Sequence, residues 1–398
     1  MNLQTVKIID GLHYLGVNDR QTEGFENMWP LPEGVAYNSY LIVDEKTCLL
    51  DTVRINKSDG FIESLKNLMG DRPLDYLVIH HMEPDHSGSI HQVLDLYPDV
   101  TLVGNKKTGE MLQDYFQLPL DHFLEVKTGD RLDLGSRDLQ FVQTPMVHWP
   151  ESMVSYDEKN KILFSQDIFG GFGTVDGGVF DDEVEYEVRM PEYRRYYTNI
   201  VGKYSMMAKK ALDTVKELDI EIICPIHGYV WRKHPEKIIE DYTKWANYEV
   251  EDGVVIVYGS MYGNTEVMAD QLARYLAEEG VRNIEIFDVS KTHPSYILSN
   301  AWVKKGLIIG SCTYNNSVFP LMHQLVHILE MNRLKNHVLG VFGSYGWSGG
   351  AVKYLKEFAE RGKFDTLDTV VEAKGSMHEE EDEGLRKMAK EMAEKLKA

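Results

Sequence analysis

Residues 76–91 read YLVIHHMEPDHSGSIH. The run YLVI has the aromatic and β-branched character of a buried strand, and it ends in His80, His81, Glu83, Asp85 and His86. Burying so many ionisable groups together is costly unless a cation or fixed partners compensate, so this strand end predicts a metal site. Three more segments show the same feature: LQFVQTPMV leads to His148, KILFSQ to Asp167 and EIICPI to His227. Strand ends at one edge of a sheet converge, which would bring these side chains to one pocket. His122, His234 and His293 lack that setting and read as ordinary core or surface residues.

The donor types narrow the metal. His81, Glu83, Asp85, His86, His148, Asp167 and His227 supply four imidazoles and three carboxylates. That is too many for one tetrahedral zinc but suits two ions of higher coordination number, and a set without thiolate points to iron or manganese.

Length and charge set outer bounds. A chain of 398 residues exceeds one ordinary core and predicts two or three domains. The net charge of −21 repels polyanions, which argues against nucleic acid. Cys48, Cys224 and Cys312 lie far apart with no C-x-x-C, so neither a disulfide framework nor a cysteine metal site is expected. The N-terminus shows no leader pattern and no apolar run is long enough to span a bilayer, which predicts a cytoplasmic protein.

The pattern changes near residue 250. Before it, GVAYNSYLIV, TCLLDTV, LDYLVIHH, VTLVG, LQFVQTP, KILFSQD and EIICPIHG read as strands, with helices over SGSIHQVLDLYP and from Tyr193 to Leu218. After it, GVVIVYG, NIEIFDV, KGLIIGS, HVLGVFG and DTVVEA alternate with helices, the mark of a doubly wound parallel sheet. Domains of 1–250 and 251–398 follow, the second ending in an amphipathic helix from Met377 with a solvated charged face.

The second domain carries its own site. In GVVIVYGSMYGNTEVMADQLARYL a strand, a polar loop and a helix place backbone N–H groups around an anion, with Ser260, Met261, Tyr262, Gly263, Asn264 and Thr265 in the loop. Neither a G-K-[ST] nor a G-x-G-x-x-G is present, so a monophosphate fits better than a triphosphate or a pyrophosphate. Two further loops follow strands of the same sheet, SCTYNNS with Thr313, Tyr314, Asn315 and Asn316, and SYGWSGG with Ser344, Tyr345, Gly346, Trp347 and Gly349. Tyr314 and Trp347 can offer flat faces to a ring system. These three loops resemble those of flavodoxin, which implies FMN.

The run H-x-E-x-D-H, followed by strand-end histidine, aspartate and histidine, resembles the metallo-β-lactamase fold, whose hydrolases usually carry histidine where this chain has Glu83. That departure, together with MWPLPEGVAYNSYLIVDEK, HWPESM and CPIHG, resembles the flavodiiron proteins, or A-type flavoproteins. The resemblance covers the chain and implies an α/β protein: a metallo-β-lactamase-like αββα sandwich, then a flavodoxin-like sheet. It assigns one iron to His81, Glu83 and His148, the other to Asp85, His86 and His227, and a bridge to Asp167, while His80 has no assigned role. It further implies reduction of O2 to water or NO to N2O, with FMN relaying electrons from a donor such as rubredoxin. The implied assembly is a head-to-tail homodimer or a dimer of dimers, with Trp347 at the junction. Three cysteines cannot supply the four of a fused rubredoxin. Tyr193, Tyr196 and Tyr197 could be proton donors but equally suit helix packing.

Two other readings compete. A zinc hydrolase with a fused flavodoxin domain would need no Glu83 and no flavin loops. An electron carrier with a docking module would not need seven metal ligands.

Overall fold

The structure, a computed structural model, describes residues 5–397. It divides into two compact units between Thr243 and Lys244.

The strand Tyr76–Val78 lies between Thr47–Leu50 and Thr101–Gly104 and runs parallel to both. A strand in that position is covered on both faces and needs a continuous apolar run, which explains YLVI. The ladder ends where the backbone N–H of His80 donates to the Asp51 side chain (2.8 Å) instead of a neighbouring strand. The chain is thus released toward the site at His81. The full sheet has seven strands, in the order Thr5–Ile9, Leu12–Leu15, Tyr40–Val43, Thr47–Leu50, Tyr76–Val78, Thr101–Gly104, Phe123–Glu125.

A second sheet of five strands runs Arg131–Asp133, Asp138–Gln143, Met153–Asp157, Ile162–Gln166, Ile222–Pro225. Its central strands Met153–Asp157 and Ile162–Gln166 are buried at every position. The two sheets meet through rings such as Tyr40 and Phe164, 5.7 Å apart and edge to face. Burial of a side chain like Phe164 contributes about 1.5–3 kcal/mol. Asn38 also joins them, its amide donating to the carbonyls of Pro225 and Gly228 on either side of the His227 segment.

Two expected elements differ from the reading of the sequence. GVAYNSYLIV is not one strand but two, Val35–Tyr37 and Tyr40–Val43, because Asn38 turns away to make the bonds just described. The helix expected from Tyr193 to Leu218 is broken. A helix Tyr186–Tyr196 passes into a wide π turn, Tyr197–Val201, then a 3-10 turn, Gly202–Tyr204, and a second helix, Ser205–Val215. The wide turn lets the consecutive residues Tyr196 and Tyr197 both be buried while reaching different partners, Asp167 and Ser205.

The second unit follows the expected alternation. Its parallel strands are ordered Ile284–Asp288, Glu251–Gly259, Lys304–Tyr314, Val338–Tyr345, Asp365–Lys374. This is the flavodoxin order, whose reversal between Glu251–Gly259 and Lys304–Tyr314 opens a crevice at the strand C-termini. Gly310 is required there, since a Cβ would lie 2.1 Å from the Phe342 ring. The helix Glu379–Lys397 buries Leu385, Met388, Ala389 and Met392 at helical spacing and keeps its charges on the other side. The fold class expected from the sequence is the one observed.

Candidate metal centre and flavin cradle

All seven strand-end candidates come together in the first unit, and all are buried. They form two groups. His81, Glu83, His148 and Asp167 make one; Asp85, His86 and His227 make the other, and within each the potential ligand atoms lie within 4.8 Å of one another.

Asp167 faces both. Its Oδ2 lies 3.2 Å from His81 Nε2 and 3.5 Å from His148 Nε2. Its Oδ1 lies 3.8 Å from His86 Nε2 and 3.6 Å from His227 Nε2. Glu83 Oε2 closes the first group at 2.9 Å from His148 Nε2 and 3.3 Å from His81 Nε2. In the second, Asp85 Oδ2 is 3.2 Å from His86 Nε2 and 3.4 Å from His227 Nε2, and those two nitrogens face each other at 2.9 Å.

The donor set fits cations. Both Asp85 carboxylate oxygens, Asp167 Oδ2 and His86 Nδ1 are buried without a hydrogen-bond partner, an arrangement that normally carries a large penalty. Burial and the Asp85 charge push Glu83 up, but His148 and His81 outweigh them and hold it at about 2. Burial likewise opposes ionisation of Asp85, yet His86 and His227 keep it well below the usual carboxylate range. The Glu83 and Asp85 carboxylates are aimed at imidazole nitrogens, as ligands to a shared cation would be.

Surrounding groups fix the imidazoles. His81 Nδ1 donates to Glu151 Oε1 at 2.8 Å, and the same oxygen accepts from the Met82 backbone. His227 Nδ1 donates to the Ala36 carbonyl at 2.8 Å. Each bond leaves Nε2 as the free ligating atom. Glu151 escaped the sequence reading because it lies three residues beyond His148 in the run HWPESM and does not itself end an apolar run.

The three tyrosines separate. Tyr196 O–H donates to Asp167 Oδ1 at 2.7 Å, while Tyr193 accepts from the Tyr229 backbone and Tyr197 bonds Ser205. His80 lies outside both groups. Its Nδ1 contacts Asp51 Oδ2 at 2.7 Å and its Nε2 contacts Ser155 Oγ at 2.8 Å, all three side chains being buried.

In the second unit the three loops line a cavity of about 400 Å³, within the range of small-molecule sites. Ser260, Met261, Tyr262, Asn264, Thr313, Tyr314, Asn315, Asn316, Ser344, Tyr345, Gly346 and Trp347 are all on its wall. Gly263, Thr265 and Gly349 are not. Thr265 is fully buried behind the wall, bonded to Ser344 Oγ at 2.9 Å, and Gly263 donates its N–H to Ser260 Oγ from a left-handed turn at φ 94°. Cys312, Ser348 and Gly375 join the lining without having been expected. Trp347 and Tyr262 are each 92% exposed at the rim. All three cysteines are free and buried. No helix among the described residues is long and apolar enough to cross a membrane.

Known proteins share this organisation. Residues 35–228 match the ODP family beta lactamase and residues 256–388 match flavodoxin. An anaerobic nitric oxide reductase flavorubredoxin of Vibrio vulnificus is 35% identical, over 91% of this chain and 74% of its own. The structure of rubredoxin oxygen:oxidoreductase from Desulfovibrio gigas superposes with a TM-score of 0.95 at 33% identity, covering 99% of both chains. The flavodiiron protein of Giardia intestinalis superposes at 0.94 with 26% identity, covering 99% of this chain and 97% of that one.

Proposed function

Because the chain belongs to the flavodiiron proteins, we propose that it is an oxidoreductase that reduces O2 to water, NO to N2O, or both, using a diiron centre and FMN. The observation that carries this reading is Asp167, with one oxygen toward each group of ligands. Hydrolases of the metallo-β-lactamase fold usually carry histidine where this chain has Glu83, and hydrolysis has no use for the flavin-type loops of the second unit.

His81, Glu83 and His148 would hold one iron, Asp85, His86 and His227 the other, with Asp167 between them. When bound, the metal pair would supply electrons and a Lewis-acidic seat for the oxidant, and FMN would hold the two electrons that replenish it. The chain's own groups prepare the site. Glu151 and the Ala36 carbonyl set the tautomers of His81 and His227. Tyr196 holds Asp167 Oδ1 in place. The rings of Phe25 and Tyr37 pack against His227 with centroids 5.5 and 5.9 Å away and hold its imidazole in place.

Ser260, Asn264 and the loop amides suit the FMN phosphate, and Tyr314 and Trp347 the isoalloxazine. The exposed rim aromatics Trp347 and Tyr262 suit docking of a small redox protein of the rubredoxin type. The proposed assembly is a head-to-tail homodimer or a dimer of dimers, the proposed domains run 1–250 and 251–398, and the proposed compartment is the cytoplasm.

The test is metal and flavin analysis of the purified protein, followed by anaerobic stopped-flow mixing of its reduced form with O2 and with NO. About two irons and one FMN per chain with rapid oxidation by either gas is expected from this donor set. Zinc, with no reaction toward either gas, would overturn the proposal.

A further inference from the structure

A cavity of about 160 Å³ reaches the metal ligands from the surface. Its ionisable lining comprises Glu83 and Asp85, which belong to the two ligand groups, with Arg54, Tyr37 and Glu26. Arg54 donates from Nη1 to Thr22 Oγ1 at 3.0 Å and approaches Tyr37 O–H at 3.5 Å, so its charge is committed to the wall. Burial, reinforced by Asp85, pushes the Tyr37 phenol far above neutrality. Glu26 is the remaining group able to load and release a proton.

Its placement fits that task. Glu26 and Asn27 form the tip of a hairpin between the strands Gly24–Phe25 and Trp29–Pro30, with φ of 50° and 56° and a Met28 N–H to Phe25 carbonyl bond of 2.9 Å. Asn, Asp and Gly accept this backbone more readily than Glu, so the glutamate side chain calls for a reason of its own. Trp29, itself buried, donates from Nε1 to Glu26 Oε2 at 3.1 Å and tethers the carboxyl. The residue as a whole is exposed to solvent while its side chain lines the cavity.

We propose that Glu26 carries protons from bulk water into the pocket above the metal ligands. The inference rests on the reductase reading of the site. Two NO, two electrons and two protons give N2O and water; O2, four electrons and four protons give two waters. The electrons come from the metal pair and the flavin, whereas the protons must enter from solvent, each leaving the Glu26 carboxyl and being replaced from water. Partial enclosure pushes this carboxyl up, as do the charges of Glu83 and Asp85, against the pull of His148 and the Trp29 bond.

The test compares the full chain with Glu26→Gln and Glu26→Asp. Glu26→Gln keeps the acceptor for Trp29 and removes the proton. Iron and FMN content should match wild type, gas consumption should fall about 100-fold, the scale of lost proton transfer, and Glu26→Asp should recover part of the rate. Independently, infrared spectra of the metal-free chain in H2O and D2O should show a protonated-carboxyl carbonyl band that titrates above the ordinary glutamate range and is missing in Glu26→Gln. Wild-type turnover in Glu26→Gln, or an infrared spectrum unchanged by that substitution, would overturn the proposal. A wild-type chain holding iron and FMN but consuming neither gas would instead defeat the reductase reading, and the relay with it.

Discussion

Replacing Glu151 by Gln should weaken one metal site and spare the other. Glu151 Oε1 lies 2.8 Å from both His81 Nδ1 and the Met82 N–H, and the residue is fully buried. Its Oε2 has no partner, so the new amide nitrogen would occupy a place with no acceptor. The carboxylate charge that makes His81 a better donor would also be lost. Partners of this kind are worth about 10- to 100-fold in metal affinity, or about 1.4 to 2.7 kcal/mol. Because Glu151 touches His81 but none of Asp85, His86 and His227, the loss should fall on a single ion. Anaerobic iron titration against a competing chelator measures this directly, with one of two binding steps shifted in the variant. Two unshifted steps would refute the orienting role of Glu151; two steps shifted equally would refute the separation of the ligand groups.

Other substitutions probe the remaining contacts. Asp167→Ala should lose affinity for both ions together, seen as less than one iron per chain after dialysis against chelator. Tyr196→Phe keeps the ring packing but removes the bond to Asp167, so the metal-free chain should lose about 1.5–3 kcal/mol of stability in urea unfolding. Ser260→Ala should raise the FMN dissociation constant by roughly tenfold, about one net hydrogen bond, read by flavin fluorescence. Burial pushes Asp19 up, yet the Thr22 hydroxyl, the Gln21 and Thr22 backbone N–H groups and Lys57 bring it down to about 2. A carboxylate lowered on folding stabilises above its unfolded value, near 4, and that contribution disappears as pH falls toward 2. Asp19→Asn should therefore flatten the pH dependence of unfolding between about 4 and 2.

The sequence revealed the second unit most completely, because its three central strands contain continuous apolar runs and all five are separated by segments of helical periodicity. The strand-end ligands were legible for a related reason. Ionisable groups directly after a buried run have no bland explanation, and both 76–91 and KILFSQD showed that conflict within a few residues. What escaped notice depends on pairs remote in the chain: Glu151 beside His81, Tyr196 under Asp167, and Asp51 and Ser155 on either side of His80. Periodicity also cannot see a wide turn, so 193–218 read as one helix. Short strands such as Gly24–Phe25, which place Glu26 over the cavity, are too brief to leave a pattern.

The arrangement of Asp51, His80 and Ser155 has the appearance of a hydrolase charge relay: carboxylate, imidazole and hydroxyl within 2.7 and 2.8 Å. Each of the three is at most 1% exposed, so no acyl group could approach the hydroxyl. A covalent serine probe such as a fluorophosphonate should leave the folded chain unlabelled. A search for enzymes by residue constellation alone would misfile this chain among the esterases, since the same bonds that activate a nucleophile at an open surface serve as a clamp when sealed.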